Sequence, residues 1–346
     1  MNFSSYFENK TILVTGGTGS IGSKIVVQLL KYNPKAIRIF SNSENELWES
    51  KLKLESFSSK LRFLLGDIRN FNRIKRAVEG TDIVFNAAAI KHVPICEYNP
   101  MEAINVNIHG LENLIEAAFI YDVEKFIHIS TDKSTNPTTV MGATKMLGER
   151  LCISRGLAKG THSTIVSCVR FGNVLGSRGS IIPLILKQID NGNQLTLTDN
   201  KMRRYFMSIS QAVELILKST YLSQGGEIFV LKMPTLIIRD LIEVIIDKYC
   251  PIINKDPNSI NIRIIGARPG EKLNEELISS IEFSSCYETE DMIIIYPIDY
   301  FPFDPVIKEK DKIGEKVVLD NYGTKYATPL SKKEIWNLIK DLNLIN

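Results

Sequence analysis

Short apolar runs alternate with longer mixed stretches through the first half of the chain. Thr11 to Thr15, Ala36 to Phe40, Leu61 to Leu65, Ile83 to Ala87, Phe126 to Ser130 and Ser163 to Arg170 are compact and mostly apolar. Runs of this kind predict parallel strands buried on both faces. Between them, Ile21 to Tyr32, Phe71 to Glu79, Pro100 to Tyr121 and Val140 to Gly156 predict helices. Alternating strands and helices imply βαβ units and a doubly wound parallel sheet, which binds ligands at the carboxyl ends of its strands.

After about residue 175 the rhythm changes. Gly and Pro become more frequent and the predicted strands are short and isolated. The pattern divides the chain into a Rossmann-type α/β domain over 1–174, with a return segment over 207–235, and a smaller α/β substrate domain over 175–206 and 236–346. The last helix is predicted from Ser331 to Leu342, with Ser331 as its N-cap.

Composition narrows this picture only a little. Among 346 residues, 44% are hydrophobic and 23% charged, ordinary for a globular chain with a large core. A net charge of +3 demands neither nucleic acid nor a membrane surface as a partner. The five cysteines are scattered, with no CxxC, which points to reduced thiols, a cytoplasmic location and no metal site. Neither a signal peptide nor a bilayer-length apolar run is visible.

Specific chemistry first shows at residues 15–22, TGGTGSIG, between a predicted strand and a predicted helix. Gly16, Gly19 and Gly22 give the spacing for a tight turn, close backbone approach to a pyrophosphate and tight helix packing. Thr18, Ser20 and Ile21 complete a loop whose helix N-terminus supplies amide donors. Strand, loop and helix together support NAD(P) binding. Asp67, followed by Ile68, stands where a carboxylate could accept the adenine amino group. Ala87, Ala88 and Ala89 would let a ribose lie against backbone. The second strand ends Ser41-Asn42-Ser43-Glu44, and Ser41, Asn42 and Glu44 are assigned to the cofactor. Ser41 lacks the charge that repels a 2′-phosphate, and no Arg is present to attract one; the balance favours NADP over NAD.

Residues 129–145, ISTDKSTNPTTVMGATK, resemble the active-site strand, loop and helix of a short-chain dehydrogenase/reductase, except that Met141 occupies the place of the usual Tyr, four before Lys145. A thioether cannot carry a proton. Taken with NAAAIKHVPICEYNPMEAINVN, RFGNVLGSRGSIIP, LTDNKMRRYFM and GARPGEKLNEEL, the chain resembles nucleotide-sugar 4,6-dehydratases of the polysaccharide-biosynthesis group acting on UDP-N-acetylglucosamine. The resemblance spans most of residues 8–280 and includes a branch that carries Met at this position.

This resemblance implies an extended short-chain dehydrogenase fold, a tightly bound nicotinamide cofactor and a homo-oligomer. It implies oxidation at C4, loss of water across C5 and C6, and hydride return to C6, giving a 4-keto-6-deoxy sugar. Asp132 is implied as the acid for the leaving C6 hydroxyl, Lys133 as the base for C5, and Lys145 as a ligand of the nicotinamide ribose. Asp132, directly or through Thr131, would take the C4 proton in place of a Tyr. Lys91 is assigned to both cofactor and sugar. His92, Met141 and Asn173 are assigned to the sugar side, Arg204 and Arg268 to the diphosphate, and Glu271 to the uridine ribose. The role of Arg203 is open, because relatives have Thr there. Asn107, the remaining histidines, Cys96 and Cys168 are read as structural. A GDP-linked substrate, an epimerase and a non-catalytic NAD(P) sensor are the alternatives; the retained Asp132, Lys133 and Lys145 speak against the sensor.

Overall fold

A computed structural model describes residues 4–158, 160–192, 194–298, 307–317, 323–341 and 345. The first six predicted strands form as β1 (Thr11–Thr15), β2 (Ala36–Ser41), β3 (Leu61–Leu65), β4 (Ile83–Asn86), β5 (Lys125–Ile129) and β6 (Ile165–Arg170). They lie parallel in the order β6-β5-β4-β1-β2-β3. β1, β4 and β5 are buried along their whole length, as expected for central strands covered by helices on both faces, whereas Leu65 at the β3 edge is exposed.

Beyond β6 the sheet continues with Ile228–Leu231, parallel to β6, and then Met292–Ile295, Cys286–Glu288 and Glu315–Lys316, all antiparallel. The 236–346 stretch, read from sequence as lying on the substrate side, therefore sends strands back into the large sheet. The sequence IIIY at 293–296 is as apolar as the central strands, and its burial on both faces explains why it pairs there. The substrate-side layer consists of helices Ile181–Asn191 and Ile238–Tyr249, the short pairings of Arg203–Met207 with Asn173–Val174 and Thr235–Ile237, and a cluster including Leu195, Phe206, Leu241, Ile245 and Ile339.

Three local differences from the sequence reading affect the site. Glu44–Lys53 is helical, because Ser43 caps it by accepting from the Glu46 amide. The helix predicted from Pro100 to Tyr121 is split by a π-helical turn over Asn105–His109. That turn buries Asn107, whose amide bonds both the N–H and the C=O of Ile90 and the Thr144 hydroxyl. The last helix runs Lys332–Asp341, with Ser331 and Glu334 bonded reciprocally; Leu342 lies outside the described residues. Among the described residues no helix is long and apolar enough to cross a membrane, and no His/Cys/Asp/Glu group could hold a metal ion.

Candidate active site

A cleft of about 940 Å³ opens along the carboxyl ends of β1, β2, β4 and β5, between the large sheet and the substrate-side layer. Its position follows from strand order: β1 leads to β2 on one side and β4 lies on the other, so the first crossover reverses there.

At one end the wall is the 16–22 loop. Gly16 has φ +61°, and a Cβ there would stand 2.8 Å from the Ala87 backbone. Only glycine lets the two loops approach so closely. Gly19 caps helix Ser20–Leu30 without a side-chain hydrogen bond, which leaves first-turn amides available to an anion. Ser41, Asn42, Asp67, Ile68 and the three alanines 87–89 line the same end. These residues fit a dinucleotide. Asp67 is already engaged by Arg69, whose hydrogen bonds hold its carboxyl below the usual range. Glu44, assigned to the cofactor from sequence, is exposed and absent from the wall; the helix that Ser43 starts brings Glu46 there instead.

At the other end, Thr131 follows β5 and Asp132–Ser134 form a single 3-10 turn. Helix Val140–Leu157, capped by Thr139, packs against this turn. A Cβ on Gly142 would lie 2.4 Å from the Lys133 carbonyl, so glycine permits the approach. Lys133 lines the cleft, with its side chain 28% exposed; Asp132 is fully buried behind it and does not line the cleft. Lys133 Nζ lies 3.0 Å from Asp132 Oδ1, 3.4 Å from Asn173 Oδ1 and 3.9 Å from Glu275 Oε1. Burial opposes its charge, but the Asp132 and Glu275 carboxylates outweigh burial and hold it above the usual lysine range. Ligand-free Lys133 therefore carries a proton. Of this pair, Lys133, implied as the base, stands on the cleft wall, and Asp132, implied as the acid, lies behind it.

The Thr131 hydroxyl is on the wall and donates to Asp132 Oδ1 at 2.9 Å, while Asp132 Oδ2 has no partner. Met141 is buried in a small apolar cluster with Cys96 and Ala103, one edge on the cleft. Lys145 is buried, donates to the Ile129 carbonyl at 2.8 Å, and burial lowers its pKa to about 8.

The arginines divide. Arg268 is exposed on the cleft wall. Arg204 is 6% exposed, its guanidinium donating to the carbonyls of Arg203, Lys272 and Leu273 and lying 3.6 Å from Glu275. It braces the 271–275 segment and also lines the cleft. Arg203 faces the carbonyls of Thr324, Lys325 and Ala327. Glu271 lines the cleft and accepts from the Arg268 amide. Lys91 and His92 are on the wall, Lys91 donating to the Arg178 carbonyl at 2.9 Å.

Sequence reasoning missed Glu275, Glu46, Arg178 and a buried triad. In the triad, Arg170 bonds Glu149 at 2.7 Å and Glu282 at 2.8 Å, and Glu149 accepts from Ser134 in the 3-10 turn. Arg178 and Glu275 lie inside motifs that could be quoted from sequence, RFGNVLGSRGSIIP and GARPGEKLNEEL, but nothing local marked them among neighbouring charges.

Comparison with known proteins agrees with this architecture. Residues 12–297 match the model of a family described as polysaccharide biosynthesis protein. A protein of Methanocaldococcus jannaschii named as an uncharacterized membrane protein is 51% identical, with 99% of each chain covered. A UDP-N-acetylglucosamine 4,6-dehydratase (inverting) of Campylobacter jejuni is 38% identical, covering 96% of this chain and 98% of its own. A UDP-glucose 4-epimerase of Rickettsia prowazekii is 39% identical, with 98% of both covered. The X-ray structure of Pen from Bacillus thuringiensis superposes with a TM-score of 0.92 at 38% identity, over 99% of this chain and 100% of that one. With its extended short-chain dehydrogenase fold, a family match over most of its length and relatives aligned nearly end to end, the chain belongs to the polysaccharide biosynthesis protein family.

Proposed function

We propose that this protein is a nucleotide-sugar 4,6-dehydratase acting on UDP-N-acetylglucosamine for glycan biosynthesis, with a nicotinamide dinucleotide resident in the cleft. The observation that carries the reading is the Thr131-Asp132-Lys133 arrangement: a charged amine at the wall, a buried carboxylate behind it and a hydroxyl joining that carboxylate to the cleft.

Gly16, Gly19, Gly22 and Ala87 would hold the dinucleotide, which would supply the hydride chemistry between sugar C4 and C6. Every proton is handled by the chain. Thr131 passes the C4 hydroxyl proton to Asp132, which replaces the missing tyrosine. The Lys133 ammonium gives its proton to the departing C6 hydroxyl as the C6–O bond breaks, and the resulting amine holds the proton released from C5. The later protonation of C5 draws on the same nitrogen. A positioned acid–base group of this kind contributes roughly 10²–10⁴-fold. Met141 closes the apolar side of the pocket. Lys145 holds the nicotinamide ribose, and Arg268 is the open cation for the diphosphate.

A UDP-glucose 4-epimerase is the second reading, favoured by the 39% identity to the Rickettsia prowazekii protein of that name. Epimerisation needs hydride and proton exchange at C4 alone and gives no work to an acid aimed at C6. Incubation with UDP-N-acetylglucosamine and UDP-glucose in deuterated water separates the two. Dehydration gives a 4-keto-6-deoxy product with deuterium at C5. Epimerisation gives a C4 epimer with no 6-deoxy sugar, and that product would remove the dehydratase reading.

A further inference from the structure

Three carboxylates crowd the motif GARPGEKLNEEL: Glu271, Glu275 and Glu276. The structure sends them three ways. Glu271 lines the cleft. Glu276 accepts from the Asn136 side chain at 2.6 Å. Glu275 turns inward, 3% exposed, to a place between Lys133 and Arg204. Its backbone is pinned there: its amide donates to the Thr324 hydroxyl at 2.9 Å, and its carbonyl accepts from the Thr324 amide. The chain just before it is laced to the loop that follows the 3-10 turn. Lys272 donates to the Thr135 carbonyl at 2.8 Å, and the Thr138 hydroxyl to the Gly270 carbonyl at 2.6 Å.

Glu275 Oε1 lies 3.9 Å from Lys133 Nζ and 3.6 Å from Arg204 Nε, and its other oxygen has no hydrogen-bond partner. A buried carboxylate with an unsatisfied oxygen costs stability, so stability does not account for its placement. With Asp132 Oδ1 at 3.0 Å from Lys133, the cluster holds two carboxylates and two cations, whose charges cancel. The neighbouring charged groups are engaged elsewhere: Lys145 on the Ile129 carbonyl, Glu149 on Arg170 and Ser134, Lys272 on Thr135 and Glu276 on Asn136. Glu271 lies 3.8 Å from Arg204. The Tyr205 phenol, pushed up by burial and then by Asp132, stays neutral.

In the reaction proposed above, Asp132 takes the C4 proton before Lys133 releases its own. Between those events Asp132 is neutral, and among the described residues Glu275 is the one ionised carboxylate within 4.0 Å of the Lys133 ammonium. We propose that Glu275 is a positioning residue for Lys133: it is the counter-charge that keeps the ammonium at the cleft wall while Asp132 is neutral, and Arg204 fixes its place. Burial, and then the charge of Asp132, raises the Glu275 pKa. Protonating Asp132 removes the second of these causes, so Glu275 is most fully ionised when Lys133 has lost its nearer partner. The order of events rests on the dehydratase reading; the ion-pair geometry does not.

The test reads Lys133 itself, in the full chain without substrate. Competitive acetylation with acetic anhydride, quantified on peptides, compares Lys133 with exposed Lys53 from about pH 7 to about pH 10.5, where lysines lose their proton. Asp132→Asn stands in for the neutral carboxyl. In that background Glu275→Gln should raise the Lys133 rate near pH 8 by about tenfold, as a one-unit fall in pKa requires. In the wild-type background the same change should do less, because Asp132 remains. Glu275→Asp, which keeps the charge, should stay nearer its parent than Glu275→Gln. Thermal melting checks that each variant folds. A rate multiplied equally at every pH would report exposure and not charge. That outcome, or identical Lys133 profiles with and without Glu275 in the Asp132→Asn background, overturns the proposal. A shifted profile in an enzyme that forms no 4-keto-6-deoxy sugar would uphold the ion pair and remove the dehydratase reading instead.

Discussion

The two ends of the cleft are built differently. The cofactor end is mostly backbone and small side chains: Gly16 against Ala87, an uncapped helix N-terminus, alanines and hydroxyls. The Lys133 end is a set of mostly buried charges gathered from distant parts of the chain: Asp132 and Lys133 after β5, Arg204, Glu275, and behind them the triad of Glu149, Arg170 and Glu282. The first kind of site follows from local backbone geometry. The second depends on long-range ion pairs, each of which sets the charge state of its neighbours. Losing a member of the first should therefore affect binding, and losing a member of the second should affect proton transfer or folding.

The largest effect is expected at Lys133. Lys133→Met should lower dehydratase turnover by roughly 10³-fold or more while NADH titration still gives a wild-type binding curve. Loss of binding together with turnover would erase the distinction between the two ends. Next comes the triad. Arg170→Met leaves Glu149 and Glu282 buried without their cation, and denaturant unfolding should show a loss of about 3–5 kcal/mol. A neutral result would mean the carboxylates find other partners.

Glu275→Gln is the sharper experiment. Glu275 is buried, its second oxygen is unpartnered, and burial, followed by the charge of Asp132, raises its pKa against the pull of Lys133 and Arg204. Removing this carboxylate takes away one of the two charges that hold Lys133 protonated. The alkaline limb of the pH–rate profile, where the ammonium is lost, should move to lower pH, and turnover near neutrality should fall by about tenfold, within the span of a single acid–base contribution. A fall in rate with the limb in place would make Glu275 structural only.

The smallest effect concerns Lys145, whose folded pKa of about 8 is below its ordinary value. A lysine with a depressed folded pKa destabilises the native state while both states are charged. That penalty is relieved as pH rises from about 8 toward the unfolded value. Between those limits wild-type stability should gain on Lys145→Gln with increasing pH; parallel pH–stability curves would contradict the assignment.

The alternation of apolar runs placed β1, β4 and β5 because strands buried on both faces must be apolar throughout, and that is a local property; the part-exposed edge strand β3 was placed by its apolar composition alone. The glycine spacing of the 16–22 loop was equally legible, since positive φ and contact with the Ala87 backbone restrict residue choice at the position itself. Helix Glu44–Lys53 was passed over because it is polar, with Leu47 its one buried residue, although Ser43 and Glu46 marked its start. The π turn at Asn105–His109 follows from Asn107 bonding Ile90 and Thr144, contacts that no periodicity records.

Sequence alone determined the six parallel strands β1 to β6, the glycine-rich loop and the identity of the Asp132–Lys133 pair, because each is written in consecutive residues. Only the tertiary structure decided that Lys133 faces the cleft while Asp132 sits behind it, that Arg204 bonds the carbonyls of the 271–275 segment, that Glu46 lines the cleft, and that Glu275 and Arg178 reach its lining residues through ion pairs. Charge state and access depend on which distant groups pack within a few ångströms, and a one-dimensional pattern does not contain that distance.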